Sequence, residues 1–187
     1  MSVSLYAYLP VPGEEPEVTA RRRVSKETGE VNPGPFNAAA EARKEALARA
    51  LLTQNPALER FEVDIAEIAR FEGVPLEEAR RQNRQIELNE PADGFGTQII
   101  LYDDWADVSL YSGDRSAGEK DLWIHVWRYL RVFAEAGFFI YDPQGDEVVD
   151  LDDDDPEGAR ATGGPARSAE SRPGTSASSQ RPWWKFW

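Results

Sequence analysis

Between residues 97 and 151 the apolar pattern switches from alternation to a helical stripe and back to alternation, and few folds accept that order. Thr97 to Tyr102 and Asp107 to Tyr111 are β-rich runs. The Asp103-Asp104-Trp105-Ala106 break between them is short enough to predict an antiparallel hairpin. Ser116 and Glu119 form a capping box at the head of Ala117 to Ala136, which places Leu122, Trp123, Val126, Trp127, Leu130, Phe133 and Ala134 on one broad face. Gly137 ends that helix. Phe138 to Tyr141 reads as a strand, Asp142-Pro143-Gln144-Gly145 as a turn, and Glu147 to Leu151 as a last strand.

Upstream, Ser4 to Leu9 alternates and stops at Pro10, which predicts a first strand. Residues 11 to 36 hold many prolines and glycines among charges and read as a long loop, with an extended pair around Arg22-Val24 and Gly29-Val31. Asn37 can cap a helix over Ala38 to Gln54, with Ala39, Ala42, Ala46, Leu47, Ala50 and Leu51 on one side. Asp64 and Glu67 open a short helix through Phe71, Gly73 stops it, and Pro75 begins another that reaches about Arg84. Setting aside this helical insertion (64–84) and the final edge strand, the order is βαββαβ. That predicts an α+β fold of the ferredoxin-like kind, an antiparallel sheet with two helices on one face.

Composition sets the domain limits. At 187 residues and 41% apolar, the chain can bury one core, expected over residues 1–151. Residues 152–182 are acidic and then rich in Gly, Ser, Pro and Ala, which cannot bury enough apolar surface to offset the entropy of ordering; a disordered linker is expected there. With no cysteine there is neither a disulfide framework nor a thiolate metal site. The first residues carry no basic region ahead of an apolar run, and nowhere do about 18 apolar residues follow one another. A cytoplasmic chain without stable membrane insertion is the expectation. The formal net charge of -13 opposes a phosphate backbone, so no nucleic-acid partner is expected.

The least ordinary feature is the aromatic segment Trp183, Trp184, Lys185, Phe186 and Trp187, which follows the linker. Large exposed aromatic rings invite aggregation unless something covers them, and Trp is enriched at binding hot spots. Four readings are open: docking on a partner protein, docking on its own domain, a membrane-interface anchor, and an incidental end. The run Asp152, Asp153, Asp154 and Asp155 can steer a basic partner, although its plainer role is to solubilise the chain. On the body, Trp105 and Tyr111 are the candidate contact residues.

Two other function classes remain. Residues 65–84 resemble a helix-turn-helix, but Glu77 and Glu78 stand beside Arg80, Arg81 and Arg84, so phosphate contacts would be few. A metal-dependent enzyme could be built around Asp103 and Asp107, although turn chemistry explains Asp103 equally well. His125, the only histidine, falls on the polar side of its helix. No cofactor is called for.

Three stretches taken together carry a family resemblance: Arg84-Gln85-Ile86-Glu87-Leu88-Asn89, Thr97-Gln98-Ile99-Ile100-Leu101-Tyr102-Asp103-Asp104, and Gly137-Phe138-Phe139-Ile140-Tyr141-Asp142-Pro143-Gln144. Residues 1–151 resemble a group of small bacterial α/β proteins associated with the immunity proteins of contact-dependent toxin systems. The resemblance implies a fold and, where such proteins are immunity factors, a cytoplasmic antidote that plugs a toxin. It assigns no functional residue. The expectation is therefore a non-catalytic protein-binding module, more narrowly an immunity-like inhibitor of a basic toxin.

Overall fold

The computed structural model describes residues 2–27, 35–90, 95–112 and 119–151, with side chains described at 4–24, 35–90, 96–110 and 126–151. In chain order the elements are β1 (Ser2–Tyr8), α1 (Pro16–Glu27), α2 (Ala38–Gln54), β2 (Glu59–Phe61), α3 (Ile65–Glu72), α4 (Leu76–Gln82), β3 (Ile86–Asn89), β4 (Phe95–Leu101), β5 (Trp105–Ser112), α5 (Glu119–Glu135), β6 (Phe139–Asp142) and β7 (Glu147–Val149). All seven strands join one antiparallel sheet in the order β2-β3-β4-β5-β1-β6-β7. The strands at the two margins, β2 and β7, are three residues long.

Strand alternation gives the sheet two unlike faces. Leu5 and Ala7 of β1, Ile86 and Leu88 of β3, Ile99 and Leu101 of β4, Ala106, Val108 and Leu110 of β5, and Ile140 of β6 point to one side. There they pack with Leu47, Ala48 and Leu51 of α2 and Val126, Trp127, Leu130 and Phe133 of α5. The intervening residues Tyr8 and Tyr141 point to the other side and close over Ala20 of α1, with Tyr6, Val24, Trp105 and Phe139 around them.

Three expectations are corrected here. Where a loop was expected, Pro16 opens a helix: its fixed φ suits the first helical position, and Thr19 and Ala20 are fully buried against the sheet. The extended partner expected at residues 29–31 lies outside the described residues. Since α1 covers the second face, helices do not lie on one face only, and β2 and β3 widen the sheet beyond the four sandwich strands and the expected edge strand β7. The inward side of α2 is Ala40, Lys44, Leu47, Ala48 and Leu51, whereas Ala39, Ala42, Ala46 and Ala50 face solvent.

Local signals were sound. Asn37 Oδ1 accepts from the N–H groups of Ala39 and Ala40, and Asp64 Oδ1 accepts from that of Glu67. Gly73 closes α3 at φ 69° in the left-handed region.

Register brings several loops to one end of the sheet. Tyr8 pairs with Trp105 and with Phe139, Leu101 pairs with Ile86, and Ile140 pairs with Val149. The entry to β3, the β4–β5 turn, the end of β1 and the exit from β7 at Leu151 therefore share that end.

Candidate functional site

A groove of about 910 Å³ opens at this end, between the first turns of α2, residues 82–85 and the turn 102–105. Its floor is ionic. The Lys44 ammonium, 1% exposed, donates to Asp103 Oδ1 at 2.8 Å, Glu41 Oε1 at 2.9 Å and the Arg84 carbonyl at 2.7 Å. An ammonium has three protons, so each one has an acceptor. Arg84 Nη2 donates to Asp103 Oδ2 at 2.9 Å, and Arg84 Nε lies 3.3 Å from Glu41 Oε1. Two carboxylates thus balance two cations. Burial alone would raise the Asp103 carboxyl, but the Lys44 and Arg84 contacts outweigh it and hold the group below the ordinary aspartate value.

Arg43 stands apart from this balance. Its Nη2 donates to the Asp103 carbonyl, its Nε is buried without an acceptor, and no carboxylate among the described residues pairs with it. The walls are aromatic. Tyr102 and Trp105 stack at 4.0 Å between centroids with 12° between planes, while Phe36 is 67% exposed and carries the Arg84 guanidinium 6.0 Å from its ring centre. Asp104 is paired with Arg23 of α1 at 2.7 Å, and that guanidinium also sits over the Tyr8 ring.

The residues singled out from the sequence separate as follows. Trp105 is half-buried, tied into the ring cluster with Tyr6, Tyr8 and Tyr102, and borders the groove. Tyr111 lies in β5 opposite Ser2 and Gly96, its side chain outside the described set, as is that of His125. Asp152, Asp153, Asp154 and Asp155, together with Trp183, Trp184, Lys185, Phe186 and Trp187, lie outside the described residues.

Asp103 and Asp107 do not converge. Asp103 turns under α2, whereas Asp107 stands on the opposite face of the sheet, between Ile100 and Tyr6 in register. Burial raises the Asp107 carboxyl, partly offset by the hydrogen bond it accepts from Ser109 at 2.8 Å. Among the described residues no three His, Cys, Asp or Glu side chains gather where a metal ion could be held.

The segment read as helix-turn-helix is a helical hairpin in which α3 and α4 pack chiefly on each other. Its arginines are engaged: Arg80 with Glu77 at 2.6 Å, Arg81 with Glu78 at 3.6 Å, and Arg84 in the groove floor. The hairpin's exposed surface mixes charged side chains, Arg70 and Glu72 among them, with large apolar ones. Phe71 is 91% exposed and Leu76 39%, with half-buried Ile68 beside them in the chain, and Phe61 on β2 is 54% exposed. Exposed Glu62, Asp64, Glu67 and Glu72 alternate with these residues along the chain.

Sequence reasoning did not single out Arg43, Lys44, Phe36 or Phe71. Lys44 carried a usable signal, because it is in helical phase with Ala40, Leu47, Ala48 and Leu51. None of the described helices is long and apolar enough to cross a membrane. Comparison of the chain with protein-family models, with curated proteins and with solved structures gives no match.

Proposed function

We propose that this chain is a non-catalytic protein-binding module acting in the cytoplasm, that the α3–α4 hairpin is its main docking surface, and that the aromatic segment 183–187 adds a second point of attachment. The supporting observation is Phe71, a large apolar ring left 91% exposed on a hairpin that shares little packing with the rest of the domain. Rings of this kind in an acidic surround fit a partner with an apolar pocket and a basic rim, and the net charge of -13 would speed such an encounter. The narrower reading, an immunity-like inhibitor that plugs a basic toxin, rests on the resemblance of residues 1–151. The same reading takes β1, α2, β4, β5, α5 and β6 as a ferredoxin-like scaffold. The neighbour order β4-β5-β1-β6 supports it, with β2, β3 and β7 widening the sheet and α1 backing it.

The test is a Phe71→Glu variant of the full chain. Phe71 buries almost nothing, so the folding free energy should stay within about 0.5 kcal/mol of the parent, the usual scale for a surface change, and the melting temperature should barely move. Quantitative capture from extracts of the native host should lose a partner that the parent retains. An identical captured set from parent and variant would sink the hairpin as the docking surface.

A further inference from the structure

The groove at the end of the sheet has a makeup that a purely structural ion cluster does not need. Lys44 and Arg84 are balanced in charge by Glu41 and Asp103, and Arg23 neutralises Asp104. That accounting leaves one positive charge, Arg43, bordering the open volume with donors to spare: among the described residues its one acceptor is the Asp103 carbonyl. A guanidinium that no carboxylate among the described residues balances is a ready partner for an arriving anion. The stacked Tyr102 and Trp105 line the same space, as does Phe36 with most of its ring uncovered. Gln82, Asn83 and Gln85 also line it, with the Gln82 and Asn83 amide nitrogens donating to Glu78 and to the Ala79 carbonyl. A volume of about 910 Å³ falls in the range of sites for small molecules.

We propose that this groove binds a small anion carried on a planar ring, of the nucleoside monophosphate class. Arg43 takes the acidic group, and the Tyr102, Trp105 and Phe36 rings take the planar one. The negative charge of the molecule as a whole does not forbid this. At physiological salt, charges farther away than about 8 Å are largely screened, and Arg43, Lys44 and Arg84 outnumber Asp103 and Asp104 among the residues lining the groove.

Isothermal titration calorimetry on the full chain, with AMP and inorganic phosphate as separate probes, tests the assignment. AMP should bind saturably at or below millimolar concentration, and phosphate more weakly. Arg43→Gln removes the guanidinium charge and should weaken AMP roughly tenfold or more, the size of one charge-assisted hydrogen bond. Phe36→Ala removes an exposed ring, leaves the fold untouched, and should weaken AMP while sparing phosphate. The assignment is overturned if AMP gives no saturable heat, if Arg43→Gln binds AMP as the parent does, or if phosphate binds as tightly as AMP. Phe71→Glu should keep full AMP affinity, so failure of the hairpin as a docking surface and failure of the groove as a ligand site are read separately.

Discussion

A lysine ammonium has three protons to place, and Lys44 places all of them inside the protein, on Asp103, on Glu41 and on the carbonyl of Arg84. Removing an acceptor from such a site strands charge away from water, which costs more than the pair itself contributes. Asp103→Ala should therefore destabilise the domain by about 3 kcal/mol, read as a fall of roughly 10 °C in melting temperature. The pH dependence follows from the sign of the shift. The Asp103 carboxyl titrates lower in the folded chain than in the unfolded one, so its stabilisation is complete above the unfolded value of about 3.9 and disappears as pH falls through the folded value. The gap in melting temperature between parent and Asp103→Ala should accordingly close below about pH 4. A gap that persisted in acid would show that the ion cluster is not what holds this corner. At this scale the sequence was legible where partners are close along the chain, as with Asn37, Asp64 and Gly73. Lys44 was legible only in its helical phase: Glu41 is three residues away, but Asp103 stands 59 residues off, and a lysine inside an alanine-rich run looks like a solvated position.

Among the elements, α2 and α5 are fastened where α2 ends. Asn55 caps α2 through its N–H to the Leu51 carbonyl, turns its Oδ1 to the Ala57 N–H, and donates its Nδ2 to the Tyr129 hydroxyl of α5. Burial pushes that hydroxyl up to about 12, with the Asn55 contact opposing the shift. Tyr129→Phe leaves the Asn55 amide without this acceptor and should cost about 1–2 kcal/mol, measurable by urea denaturation at an unchanged slope. An undiminished midpoint would mean that solvent replaces the contact at no cost. The helices with strong local signals, α2 and α5, were legible, and so was the β4–β5 hairpin. Helix α1 was hidden because the prolines and glycines of residues 11–36, set among charges, suggested a loop. Tertiary ties hold it instead: Thr19 and Arg22 bond Glu14, and Arg21 bonds Asp146, which also accepts from the Tyr141 hydroxyl.

For the molecule as a whole, pairing between distant segments decides the layout. Ser4 and Ser109 share a hydroxyl hydrogen bond across 105 residues, and no local pattern announces which strand will flank β1. The composition of residues 152–187, by contrast, was readable as a change of character. Deleting Pro182 to Trp187 should leave the melting temperature unchanged and remove one captured protein. A clear fall in melting temperature would instead mean that those rings rest on the domain itself.

The width of the sheet conceals how little of it is on offer sideways. Glu59–Phe61 on one flank and Glu147–Val149 on the other supply only about one turn's worth of free ladder, and charged residues stand in both. A second copy arriving flank-on has too few rungs to grip, so concentrated solutions of the folded chain should resist growing into fibres.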